Sequence, residues 1–156
     1  MKSLKIWSLV AVLLMAMVGC SETTGGGSDD PAAGNFDAIE KEWKLVSVNG
    51  EANEFNVYIS FDQGTFALYQ QVYTLDYKFY DGEYKVEGGK LTGEYFEGGA
   101  WKCAYTGGVS EDGNTLTLKS DETSPITCVY EACTIPENIR EEALAGTRAA
   151  EVVPFL

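Results

Sequence analysis

Between Trp43 and Tyr130 the chain alternates apolar and polar side chains with period two, the mark of strands with one buried face. Phe55, Val57, Ile59 and Phe61 fall on one side; Asn56, Tyr58, Ser60 and Asp62 fall on the other. Asp62-Gln63-Gly64 supplies a turn, after which Phe66 and Leu68 resume the inward row. Tyr73, Leu75, Tyr77 and Phe79 form a further row of opposite parity, so a bulge or break is expected near Gln70 to Val72. Asp81-Gly82 reads as a turn, followed by Tyr84 and Val86 facing inward against Glu83, Lys85 and Glu87. Gly88-Gly89 is a two-residue hairpin of the favoured kind. Leu91, Gly93 and Tyr95 come next, then a turn at Glu97-Gly98-Gly99 and the row Trp101, Cys103, Tyr105. Turns at Glu111 to Asn114 and at Asp121 to Pro125 bracket Leu116 and Leu118, and Ile126, Cys128 and Tyr130 close the series.

Short strands at such regular spacing, with no helix between them, pair antiparallel. Each row has one apolar face, so the sheet must curl around its own core. The expected fold class is all-β: an up-and-down β-barrel of about eight or nine strands. Pro136-Glu137, with Ile139, Ala143 and Leu144 on one side and Gly146 as a stop, predicts one short helix over 136–145, packed on or capping the barrel. The last residues, Val152-Val153-Pro154-Phe155-Leu156, are apolar enough to dock.

The first 19 residues follow a different pattern. A cationic start, Lys2 and Lys5, precedes the apolar run Ile6 to Met17, then Val18-Gly19-Cys20. That layout resembles a bacterial lipoprotein signal peptide cut before Cys20, whose thiol would carry diacylglycerol. The run is shorter than the about 20 apolar residues a membrane span needs. A plain secretory signal also tolerates small residues before its cut; the cysteine favours lipidation. Residues 20–36, without a large apolar residue before Phe36, are expected to be a lipidated tether, and 37–156 the barrel domain. The membrane is then a partner through acyl chains, and the outer membrane of the cell envelope is the expected location.

Loss of Lys2 and Lys5 with the leader leaves nine of the 11 basic residues against 24 acidic ones, a net charge of −15. So acidic a domain repels nucleic acid and anionic headgroups. The chain has no histidine, which removes histidine-based relays and the commonest metal ligand. No catalytic residue, metal site or cofactor is expected. Glu83, Glu87, Glu94 and Glu97 could serve a carboxylate enzyme only from a cleft, and they alternate outward as solvated surface. Cys103, Cys128 and Cys133 are an odd set. Cys103 and Cys128 share parity, but an intervening strand should hold them ~9–10 Å apart, beyond the ~7 Å a disulfide spans. Buried free thiols are the first expectation, and a bridge from Cys103 would demand a distorted sheet.

Several phrases, in order, carry a resemblance. Trp43-Lys44-Leu45-Val46-Ser47-Val48-Asn49-Gly50 resembles the opening strand of lipocalin-like domains in lipoproteins of Gram-negative anaerobic bacteria. Gly82-Glu83-Tyr84, Lys90-Leu91-Thr92-Gly93, Asp112 to Leu118, Ile135-Pro136-Glu137 and Arg148 are similar to later phrases of that family. The resemblance implies a lipocalin-like barrel with Trp43 near its closed end and an arginine, Arg148 or Arg140, stacked on the indole at ~0.5–2 kcal/mol. A buried core role without any ligand is the other reading of Trp43.

The function expected from these features is a lipid-anchored binding protein holding a small apolar or amphipathic ligand in its barrel. Candidate lining residues are Phe55, Val57, Ile59, Tyr77, Phe79, Tyr84, Tyr95, Trp101 and Tyr105, although a solid core would use the same side chains. The alternative is a filled barrel acting as an interaction or structural module through its rim or the outward tyrosines Tyr58, Tyr69 and Tyr80. No protein partner is named by any motif.

Overall fold

A computed structural model describes residues 35–145 and 153–156. The leader, Cys20, most of the expected tether and Arg148 lie outside the described residues. The strands are β1 (Glu42–Val48), β2 (Glu51–Ala52), β3 (Asn56–Asp62), β4 (Thr65–Gln71), β5 (Lys78–Glu87) and β6 (Lys90–Tyr95). They continue with β7 (Gly99–Ala100), β8 (Tyr105–Val109), β9 (Thr115–Ser120) and β10 (Thr127–Cys133), and one helix follows, α1 (Glu137–Ala145). Neighbours pair in the order β1, β3, β4, β5, β6, β8, β9, β10, all antiparallel, and β10 returns to β1 with Leu45 opposite Tyr130 and Glu42 opposite Cys133. The ring is therefore an up-and-down arrangement closed on itself, with β2 and β7 as two-residue additions. Closure matters because it satisfies the edge hydrogen bonds that an open sheet would expose.

Two joints depart from regular pairing. A bulge sits in β1 between Leu45 and Ser47. The contact of β6 with β8 rests on one residue pair, Leu91 with Tyr105. The hairpins at Gln63-Gly64 and Gly88-Gly89 have φ of 45° and 81°, and 59° and 76°, the double left-handed geometry that matches strand twist.

Inward side chains from every long strand form one core. Trp43, Leu45, Val57, Ile59, Leu68, Leu91, Leu116, Leu118 and Tyr130 are at most 1% exposed. One end of the ring is sealed by Phe36 and Ile39, both buried, so packing begins inside the segment expected to be tether. Asn35 carbonyl accepts from the Val109 amide at 2.8 Å there. Trp43 lies at the same end and donates Nε1–H to the Ile39 carbonyl at 2.9 Å.

Several expectations need correction. Asp81-Gly82 is no turn: both lie within β5, and a Cβ on Gly82 would overlap the Glu94 carbonyl and the Phe66 ring. The break after β4 falls at Gln71 as the parity demanded, but residues 72–77 form a connection rather than a strand, with Tyr73 and Leu75 exposed. Pairing of Leu68 with Tyr80 and Phe66 with Gly82 turns Tyr80 inward, not outward. Tyr77 and Phe79 consequently face out.

The outer face has its own small core. Tyr58, Tyr69 and Tyr77 pack with Ile135, Ile139 and Ala143, and Phe79 lies against them. The helix thus lies on the side of the ring, with Leu144 pointing to solvent rather than inward. Arg140 sits over Tyr69, 5.7 Å from the ring centroid, and pairs with Glu42. It does not stack on Trp43, where Lys41 Nζ stands 5.9 Å from the ring centroid. The three described cysteines beyond the leader, Cys103, Cys128 and Cys133, are free.

Candidate functional site

The end of the ring opposite Phe36 is covered by the chain's last residues. Leu156 enters the core and is 3% exposed, and its main-chain oxygen accepts from the Tyr95 hydroxyl at 2.9 Å. Gln70, the polar residue in the inward row of Phe66 and Leu68, is only 1% exposed. Its Nε2 donates to the Val153 carbonyl at 3.2 Å, and its Oε1 accepts from the Phe155 amide at 2.7 Å. Between this tail and the connection after β4 lies a groove of about 460 Å³, lined by Gln70, Val72, Tyr73, Thr74, Val153, Pro154 and Phe155.

Beneath the tail a series of rings leads into the lumen. Tyr95 meets Phe66 edge-on at 5.3 Å, Phe66 meets Trp101 at 5.0 Å, and Trp101 meets Tyr105 at 5.9 Å. Trp101 gets its place because Gly93 has no side chain: a Cβ there would overlap the indole. Two donors in this region are buried and have no hydrogen-bond partner, the Trp101 indole N–H and the Tyr130 hydroxyl. An unpaired buried polar group costs ~1–3 kcal/mol, so each is a place where an acceptor from a ligand or an ordered water is worth most.

The electrostatics are those of a weakly polar, closely packed core. Burial raises Tyr95, Tyr105 and Tyr130 above the ordinary phenol value, and for Tyr105 the hydrogen-bonded Cys103 thiol adds to the effect. Burial pushes the Cys128 thiol up to about 11, reinforced by the nearby Cys103. These groups are neutral over the physiological range. They can donate and accept hydrogen bonds but cannot supply charge. A neutral thiol is also a poor nucleophile.

Of the residues expected to line a site, Val57, Ile59, Tyr95, Trp101 and Tyr105 do face the lumen and are buried together. Phe55 packs against that core at the tail's end of the ring, with its ring 4.9 Å from Tyr73. Tyr84 also faces in, but it meets Phe61 at 4.9 Å, away from the tail. Tyr77 and Phe79 are excluded from the lumen, because α1 covers them on the outside. Gln70, Tyr130 and Leu156 were not among the expected site residues. For Gln70 a signal existed, since a glutamine at an inward strand position is a buried amide that needs partners.

Among the described residues no three His, Cys, Asp or Glu side chains are grouped to hold a metal ion. No family model, curated protein or solved structure matches the chain.

Proposed function

We propose that the chain is a lipid-anchored binding protein of the cell envelope, held on the outer membrane through acylated Cys20, and that its ring of strands takes a small apolar or amphipathic ligand at the end covered by the tail. One observation carries the binding site: two buried donors, Trp101 Nε1–H and Tyr130 hydroxyl, stand unpaired among the aromatic and aliphatic side chains of the core. A ligand with an apolar body and one acceptor would satisfy both demands of such a core. Acylation rests on the Val18-Gly19-Cys20 pattern, and the acidic surface leaves acyl chains as the route to the membrane.

The test is native mass spectrometry of the delipidated protein purified from its own host. A small molecule released on denaturation is the expected result. If nothing co-purifies, and membrane lipids or bile-type amphiphiles cause no thermal shift, the ligand reading is removed. A filled barrel acting as an interaction or structural module would then stand, favoured by the tight burial of the inward side chains and by Leu156 among them.

A further inference from the structure

Asn49 and Gly50 form the two-residue turn between β1 and β2, where Val48 pairs with Glu51. Their φ values are 52° and 81°, both in the left-handed region that such a turn requires. Both residues are exposed, and beyond the chain neighbours no atom lies within 4 Å of where a Cβ on Gly50 would sit. Asn49 is also the one asparagine of the chain that a glycine follows; Asn35, Asn53, Asn56, Asn114 and Asn138 precede larger side chains. That order matters chemically. The main-chain nitrogen of the next residue can attack an asparagine's amide carbon, and glycine leaves that nitrogen unshielded. Two hydrogen bonds tie this turn to β10. The Asn49 amide donates to the Thr127 carbonyl at 2.7 Å, and the Thr127 amide donates to Asn49 Oδ1 at 2.8 Å. They extend by one step the joint that closes the ring, whose last pair is Val48 with Cys128. The second bond turns the Asn49 side chain toward β10.

We infer that Asn49 is a site of spontaneous covalent modification, and that the bond from Thr127 sets its rate. The Gly50 nitrogen gives its proton to solvent hydroxide and bonds to Asn49 Cγ. The Cγ–Nδ2 bond breaks, and ammonia leaves with a proton taken from water. Water then opens the five-membered imide at one of its two carbonyls. Opening at the side-chain carbonyl leaves aspartate; opening at the main-chain carbonyl leaves isoaspartate, with one more carbon in the backbone. Attack needs the Asn49 amide to swing away from Thr127, so the folded chain reacts through a local opening of the turn. Aspartate keeps an oxygen for the Thr127 amide. Isoaspartate lengthens the turn and cannot keep both bonds, so it loosens the closing joint. Either product adds a negative charge to an already acidic chain. None of this depends on a ligand in the ring.

The experiment incubates the full chain in mildly alkaline buffer, folded and in urea, and follows each asparagine by peptide mass spectrometry. In urea Asn49 should convert at least ~10-fold faster than any other asparagine, since only there is the attacking nitrogen a glycine's. In the folded chain it should still convert first, but at least ~10-fold more slowly than in urea, because the Thr127 bond must be released. No conversion at Asn49, or another asparagine converting first, overturns the site. Equal rates in the two states overturn the control by the fold. Thr127→Pro, at a first strand position that tolerates proline, removes the donor and should speed conversion in the folded chain at least ~10-fold. An unchanged rate overturns the role of that bond. Should Thr127→Pro not fold, hydrogen exchange on the unaltered chain decides. The Thr127 amide must quicken with added urea in step with Asn49 conversion, and conversion that quickens alone overturns the proposal. Chains carrying isoaspartate, separated by chromatography, should exchange the Thr127 amide at least ~10-fold faster than unconverted chains. Equal protection overturns the loosening of the joint.

Discussion

Gly93 carries no side chain where the Trp101 indole needs the space, and Gly82 leaves room for the Phe66 ring in the same way. These two glycines do not sit in positive-φ turns; their value is steric, letting rings lie flat on the strands. Gly93→Ala is therefore expected to destabilise the chain by ~1–3 kcal/mol through overpacking, and to alter the near-ultraviolet circular dichroism of Trp101. Urea denaturation of the variant checks the first, and its spectrum the second. Wild-type stability would show that the indole does not lie on that glycine. Trp43 and Trp101 differ in the same residue-level way. The first donates to Ile39, while the second has a buried N–H without a partner.

Among the elements, α1 is anchored by Ile139 and Ala143 against tyrosines of the outer face, and Glu142 accepts from the Tyr77 amide at 3.2 Å. Ile139→Ala should cost ~2–5 kcal/mol by leaving a cavity on that face. Proteolysis should then cut within α1 before the strands are lost, whereas simultaneous loss of helix and strands would mean that the two clusters fold as one. This second cluster also explains what was legible from the sequence. Rows opposed by polar residues, such as Leu116 and Leu118 against Thr115, Thr117 and Lys119, declare their parity. The strand β5 does not, because the helix makes its outer side apolar too, so the pattern put Phe79 inside and Tyr80 outside, the reverse of their places in the ring. The helix bounds followed from Pro136 and the spacing of Ile139 and Ala143. That the tail docks followed from its apolar residues, but not where it docks, since four residues carry no periodicity and their partner Gln70 is distant in the chain. Asp81-Gly82 misled for a different reason: the pair has turn chemistry, but this glycine is required by a close approach between strands.

At the scale of the molecule, the ring buries neutral acids rather than charges. Sign follows from which state keeps its proton. Cys128 has an ordinary thiol value of 9.0 and is raised to about 11 in the fold, and Tyr95, Tyr105 and Tyr130 are raised as well. From pH 9 upward the unfolded chain loses protons that the folded chain retains, so stability is full below about pH 9 and declines toward pH 11 and beyond. Urea midpoints taken at pH 8, 9, 10 and 11 should fall in that order after the first step. Cys128→Ala should remove the earliest part of the decline, and a flat profile would contradict burial of these groups. The same burial should slow Cys128 toward disulfide reagents at pH 8 in the folded chain relative to the unfolded one.

Binding within the covered end of the ring is tested most directly by tryptophan fluorescence. Once the leader is removed, Trp43 and Trp101 remain, one at each side of the core. A brominated fatty acid is titrated into the delipidated chain carrying Trp43→Phe, which leaves Trp101 as reporter, and into the chain carrying Trp101→Phe, which leaves Trp43. A ligand entering under the tail quenches Trp101 saturably and leaves Trp43 bright. No saturable quenching of Trp101, or equal quenching of both, contradicts a binding site in that lumen.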